Sequence, residues 1–386
     1  MRIAIDAREL HGKPTGVGRL LAEILAAWKT MPEARAHEFI LCAPDAGGGT
    51  WWEQTALPRL VREAHADVLF APGYSGPIFS PVPMVVAIHD VSFAAHPEWF
   101  SWRDGARRRT TVQLAARAAT RVVTISEFSK REIAAHLGID SSKITVVYPG
   151  VTALVSGLPS RVSSPVLDRR AETLDRGPTV LFVGSIFNRR HVPELIEGFA
   201  RLARTRPDAR LEIVGENRTS PHINLAAAVR GTGAADRIQL RSYVTDDDLR
   251  NLYVAGSAFV FLSEYEGFGL TPLEALAAGL PVLLLDTPLA REVCGDAALY
   301  VPRPDSALIE EALDTLLFDA AERARILEAA QLVLPRFSWT ACARRVLNVL
   351  VSCGERRPGS PGEPGPSTRS GSSRAQSAGD GSAAGE

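Results

Sequence analysis

Glu266-Gly-Phe-Gly-Leu-Thr-Pro-Leu-Glu274 sets two carboxylates eight positions apart across a glycine loop and the start of a helix. The run before it, Ala258-Phe-Val-Phe-Leu262, is short, apolar and bounded by polar residues, as expected of a strand buried on both faces of a parallel sheet. Thr271 suits an N-cap, Pro272 the first helical position and Glu274 the third, which makes Thr-x-x-Glu a capping box; Gly279 is the stop. Strand, glycine loop and helix therefore follow one another. A helix start offers unpaired N–H groups and the positive end of a dipole, and Gly267 and Gly269 let backbone approach a ligand closely, so a diphosphate fits here. On these residues alone, Glu274 serves equally as a helix cap and Glu266 as a solvated loop carboxylate.

The rest of the chain repeats the strand-and-helix rhythm. Ile3-Ala4-Ile5, Glu38 to Cys42, Asp67 to Phe70, Met84 to Ile88, Arg121 to Thr124 and Lys143 to Val147 read as strands separated by helices and loops. Val180 to Val183, Leu211 to Gly215, Arg237 to Leu240 and Val282 to Leu285 continue the pattern beyond a stretch rich in Ser, Pro and Arg. Such alternation predicts doubly wound parallel sheets. At 386 residues the chain exceeds what one core usually supports. The reading is an α/β protein with an N-terminal domain over 1–152, a linker over 153–178, a second domain over 179–337 and a closing helix over 338–352. From Gly354 onward Gly, Ser, Pro and Ala dominate, and 354–386 reads as a disordered tail.

Charge and cysteine content narrow the setting. A net charge of −1 leaves no nucleic-acid footprint. The four cysteines are scattered without a metal-binding spacing, so a reducing cytosol is expected and no metal or cofactor is assigned. The charged N-terminus does not suit a signal peptide, and no apolar run is long enough to span a bilayer. Arg103, Arg107, Arg108, Arg109 and Arg117 give one helix a basic face, a solvated surface or a contact with an anionic lipid surface at the inner face of the membrane.

The central stretch resembles the E-x7-E element of the retaining glycosyltransferases of family 4, usually Glu-Gly-Phe-Gly-Leu-Pro-x-Leu-Glu, with Gly279-Leu280-Pro281-Val282 completing it. Ile88-His-Asp-Val-Ser-Phe-x-x-His-Pro-Glu-Trp-Phe100 is similar to the family's mannosyltransferase-like members. Gly184-Ser-Ile-Phe-Asn-Arg189-Arg190-His191 resembles its Gly-x-x-x-x-Arg-Lys-Asn segment, with Arg190 in place of Lys and His191 in place of Asn or Gly. The resemblance covers about residues 1–352 and implies two facing Rossmann-like domains, the glycosyltransferase B architecture, with a crossover helix at the C-terminus.

It also implies roles. Glu266 and His89 hold the donor sugar, Arg189 and Arg190 clamp the departing diphosphate, and the loop through Gly267, Phe268, Gly269, Leu270 and Thr271 meets sugar and phosphate. Glu274 holds the ribose, and Gly16 and Gly18 shape the phosphate side by backbone alone. Asp90 and Ser126 line the acceptor side. The implied reaction is retaining transfer of a hexose, mannose favoured, from a nucleotide diphosphate sugar to a glycan or lipid-linked acceptor, without a divalent metal. Asp246-Asp247-Asp248 opens a helical pattern, where an N-cap and first-turn role suits it better than a metal bridge. Two rival readings share the architecture: a nucleotide-sugar epimerase or hydrolase, and a non-catalytic sugar-nucleotide binder.

Overall fold

Short apolar runs become strands here because helices cover both faces of each sheet, so Val68–Ala71, Met84–Ala87, Ala258–Phe261 and Val282–Leu285 are buried at every position. The structure is a computed structural model and describes residues 1–11, 15–44, 48–152 and 177–355. The expected linker over 153–178, apart from its last two residues, and the expected tail, apart from its first two, lie outside the described residues.

The first sheet contains β1 (Arg2–Asp6), β2 (Glu38–Cys42), β3 (Val68–Ala71), β4 (Met84–Ala87), β5 (Arg121–Thr124) and β6 (Ile144–Val146). Its order is β2-β1-β3-β4-β5-β6, and its pairings are parallel. The second sheet contains β7 (Thr179–Val183), β8 (Arg210–Val214), β9 (Ile238–Arg241), β10 (Ala258–Phe261), β11 (Val282–Leu285) and β12 (Leu299–Val301), in the order β12-β11-β10-β7-β8-β9. Read from β9, this is the 3-2-1-4-5-6 order of a Rossmann sheet, with the strand order reversing between β7 and β10. Ligands of open sheets bind beyond the carboxyl ends of strands at such a reversal. The loops that follow β7 and β10 carry Arg190 and Glu266.

The sequence reading places each of these strands except β12, whose three residues are only half-buried at Leu299 and Tyr300. Two apolar clusters flank the first sheet and a larger one surrounds the second. The helix Trp339–Gly354 returns to the first sheet: Val346 and Leu350 join the cluster around Ile5 and Leu21, and Trp28 Nε1 donates to the Ala343 carbonyl at 2.9 Å. Residues Met1–Glu355 form one compact unit.

Candidate active site

The glycine loop after β10 departs from its expected local structure in one respect. The helix spans Leu270–Ala277 and starts from Gly269, whose φ of 93° lies in the left-handed region, with no side-chain cap. Thr271 is therefore its second residue, and Glu274, in its second turn, is too deep to cap it. The capping box does not form. Glu274 instead turns into the protein, 5% exposed, and pairs with Arg19 Nη2 at 3.0 Å. Burial raises its pKa, and the Arg19 charge opposes that rise. The first-turn amides of Leu270 and Thr271 lack intrahelical partners, and both residues line the cleft.

That cleft, of about 410 Å³, lies between the two sheets. From the second half it is lined by Arg190, Glu266 and the loop from Gly267 to Thr271, and from the first half by Gly16, His89 and Asp90. Gly18, Ser126, Arg189 and Glu274 are not part of this lining. Gly16 has open space where a Cβ would be, whereas a Cβ on Gly18 would collide with the Glu9 carbonyl. One glycine thus faces the cleft, and the other lets helix Gly16–Thr30 pack against the chain before it.

Arg190 and Glu266 are directly bonded. Arg190 Nε and Nη2 both reach Glu266 Oε1 at 2.7 Å, Ser263 Oγ donates to the same oxygen at 2.8 Å, and Arg190 Nη1 donates to the Ser185 carbonyl at 2.7 Å. The carboxylate is held in one orientation while Glu266 still faces the cleft. Arg189 is placed differently: its guanidinium stacks over Phe187 at 4.3 Å and Trp99 at 5.5 Å, and Nε donates to the Tyr265 carbonyl at 3.1 Å. Burial pushes its pKa below the usual guanidinium value. Trp99 comes from the first half of the chain, so Arg189 joins the halves by cation–π contact. His191, next in sequence, has φ 50°. Gly and Asn accept that backbone most readily, and a histidine there is in a left-handed conformation that side chains rarely adopt. Burial would lower the His191 pKa, but Glu194 and Glu264 outweigh it and raise it.

His89 lies one residue beyond the end of β4, after Ile88, and is buried. Its Nε2 lies 2.8 Å from the Pro72 carbonyl, which can only accept, so Nε2 carries the proton. Burial lowers the His89 pKa, leaving a neutral ring whose Nδ1 is an acceptor. Asp90 Oδ1 accepts from Ser92 N and Oγ at 3.0 and 2.8 Å, and Oδ2 accepts from Tyr74 Oη at 2.7 Å, so this carboxylate fixes the loop after His89. Ser126 caps helix Glu127–Leu137, accepting from Ser129 N, and its Oγ donates to the Gly267 carbonyl at 2.8 Å. Ser129 Oγ lies 3.0 Å from both the Gly267 and His89 carbonyls. Gly267 is thus seated on the first half of the chain, and the absent side chain makes room for protein backbone. Phe268 turns its ring inward against Phe337 and Tyr148, leaving its backbone to the cleft.

Asp246 to Asp248 form the first turn of helix Asp246–Ala255, capped by Thr245. No group of acidic, histidine or cysteine side chains among the described residues is arranged to hold a metal. No described helix is long and apolar enough to cross a membrane. Three further groups at or beside the site have contacts to which the reading from sequence gives no role. Tyr74 holds Asp90 from a strained φ of 67°. Glu292 accepts from Glu127 N at 2.6 Å, Phe128 N at 2.8 Å and Tyr148 Oη at 3.2 Å. Arg19 carries a signal that was present in the sequence: it is a cation in the first turn of a helix, where the dipole disfavours it unless an anion is near.

Two family models match the chain: "Glycosyltransferase Family 4" over residues 22–153 and "Glycosyl transferases group 1" over residues 167–333. The O-antigen chain mannosyltransferase B of Escherichia coli is 28% identical over 270 residues, 68% of this chain and 69% of that protein. The glycogen synthase of Mycobacterium tuberculosis H37Rv is 28% identical over 311 residues, 77% of this chain and 70% of that protein. The crystal structure of Anabaena HepE in complex with UDP and glucose superposes with a TM-score of 0.69 at 20% identity, covering 91% of this chain and all of that one. The likeness to HepE establishes the fold, the glycosyltransferase B architecture.

Proposed function

The chain belongs to the group 1, family 4 glycosyltransferases, and on that premise we propose that it transfers a hexose, mannose favoured, from a nucleotide diphosphate sugar to a hydroxyl of a glycan or lipid-linked acceptor, with retention at the anomeric carbon. One observation carries this reading: Arg190, Glu266 and an uncapped helix start at Leu270 face His89 and Gly16 across a single cleft. The acceptor hydroxyl attacks the anomeric carbon from the face that the diphosphate leaves; the carbon–oxygen bond to the diphosphate breaks, and the departing phosphate oxygen takes the acceptor proton. Arg190 and the free amides of Leu270 and Thr271 stabilise the charge that grows on the diphosphate. Glu266, fixed by Arg190 and Ser263, and the neutral Nδ1 of His89 orient the sugar. A carboxylate engaged by two side chains suits orientation better than nucleophilic attack. Mannose is favoured through the Escherichia coli relative, while HepE, whose crystals hold UDP-glucose, supports a nucleoside diphosphate donor in this fold. The exposed Trp102 and the arginines of helix Trp102–Ala118 support a peripheral contact with an anionic membrane that presents a lipid-linked acceptor.

Donor profiling tests the reading. GDP-mannose, UDP-glucose and related donors should be screened by thermal shift, since a ligand of the folded state alone raises apparent stability. Turnover with the stabilising donor and a glycan acceptor panel should then give a product with the donor's anomeric configuration by NMR. Transfer is expected to be insensitive to EDTA, with cationic side chains taking the place of a metal on the diphosphate. Activity lost in EDTA and restored by Mn or Mg contradicts this. Free epimerised sugar would favour an epimerase, and donor binding without turnover a non-catalytic binder.

Glu274→Gln separates ribose binding from helix stability. A ribose contact acts on ground state and transition state about equally, so donor KM should rise with little change in kcat. Glu274 has a raised pKa in the folded protein, so its stabilising contribution is complete below the unfolded-state value and is lost as pH rises through the folded one. At neutral pH the buried charge is a net cost. The amide variant should therefore melt no earlier than the wild type, whereas a helix-capping glutamate would lose stability on the same change.

A further inference from the structure

We propose that Arg19 is a further phosphate ligand of the cleft, held on Glu274 in the free protein and displaced by the donor's ribose hydroxyls onto its diphosphate. The inference rests on the reading of Glu274 as the ribose contact. Arg19 lies in the first turn of helix Gly16–Thr30 in the first half of the chain, and Glu274 lies in helix Leu270–Ala277 in the second. Their 3.0 Å ion pair therefore crosses between the halves, at the carboxylate assigned to the ribose. A carboxylate that accepts from two ribose hydroxyls cannot keep the same geometry with a guanidinium. Donor binding consequently exchanges one partner for the other.

The three arginines at the site differ in their freedom to answer a new anion. Arg189 is stacked between Phe187 and Trp99, and Arg190 is engaged by Glu266 and the Ser185 carbonyl. The side chain of Arg19 is 45% exposed, against 6% for Glu274, so it is the mobile member of its pair. Its helix opens at Gly16, which lines the same cleft as the free amides of Leu270 and Thr271 and has open space where a side chain would be. A guanidinium released there stands at a helix start, a position that is unfavourable alone and favourable once a phosphate lies beside it. The exchange leaves every charge with a partner: ribose hydroxyls on Glu274, and Arg19 on the diphosphate. Simple release of Arg19 into solvent would strip the buried carboxylate of its counter-charge with no return.

The test compares nucleotides that differ by one phosphate. Whichever of UDP, GDP or ADP binds the full-length wild type, and its monophosphate, should be titrated by calorimetry into Arg19→Ala, Arg19→Lys and Glu274→Gln. Arg19→Ala is expected to weaken the diphosphate by about tenfold or more, the scale of one charge-assisted contact, and the monophosphate by less than about threefold; Arg19→Lys should recover part of the loss. Unchanged or tighter diphosphate binding in Arg19→Ala, or an equal loss for both nucleotides, overturns the proposal. Glu274→Gln should weaken both nucleotides alike. If it weakens neither, the ribose reading fails and this inference with it, whereas loss in Glu274→Gln without selective loss in Arg19→Ala overturns the inference alone.

Discussion

Replacing Arg190 with alanine is expected to lower kcat by about a hundredfold or more, the usual cost of removing one preorganised partner of a developing charge. Glu266→Gln should lower kcat on a similar scale, and the double variant should fall well short of the product of the two. The family resemblance implies different tasks for these residues, the diphosphate for the arginine and the sugar for the glutamate. In the folded protein they are one unit, because Arg190 donates twice to Glu266 Oε1 and Ser263 Oγ donates to the same atom. Deleting the arginine frees the carboxylate to turn, and neutralising the carboxylate loosens the arginine. Residues in direct contact couple by about 0.5–3 kcal/mol. Steady-state kinetics on the two single variants and the double measure that coupling. Multiplicative losses would show two independent contacts, and normal turnover in both single variants would remove the active site proposed here.

Gly267→Ala is the second large effect expected, with kcat/KM falling by about a hundredfold, as for a misplacement of reacting groups by about 1 Å. The added methyl would collide with the His89 carbonyl and press on Asp90 Cβ, 3.3 Å away. Neither neighbour can yield freely. His89 is buried with its ring on Pro72, and Asp90 is held by Ser92 and Tyr74. Relief must come from moving the glycine loop, and with it Glu266, away from the first half of the chain. Overpacking of this kind costs about 1–3 kcal/mol, so the protein should still fold. Kinetics together with a melting curve check the point: a lower melting temperature with undiminished kcat/KM would mean that the loop reseats without disturbing the sugar site.

What the sequence conveys well here is local. Apolar runs of four or five residues mark the strands because a sheet covered on both faces has no polar side to interrupt them. Ser126 is legible as a cap because the residues that open helix Glu127–Leu137 are its immediate neighbours. The start of helix Leu270–Ala277 is misread because it depends on one backbone angle at Gly269, and a glycine gives no sign of which angle it takes. The strand Leu299–Val301 escapes because three residues at a sheet edge, two of them half-buried, carry no pattern. Arg19 with Glu274, and Tyr74 with Asp90, are pairs closed by tertiary folding, and no spacing in the chain announces them.

The carboxylate of Glu292 reaches across 164 and 165 residues of chain to the amides of Phe128 and Glu127, at the head of helix Glu127–Leu137. Because its hold on this helix is on main chain, substitution at positions 127 and 128 leaves that hold intact, while shortening Glu292 releases it. Two oxygens on two successive amides also fix a point in space. Gly267 is held at the same helix head, its carbonyl accepting from Ser126 Oγ at 2.8 Å and from Ser129 Oγ at 3.0 Å. The two halves are thus riveted at one helix head, where the Glu292 carboxylate and the loop beside Glu266 share a single anchorage.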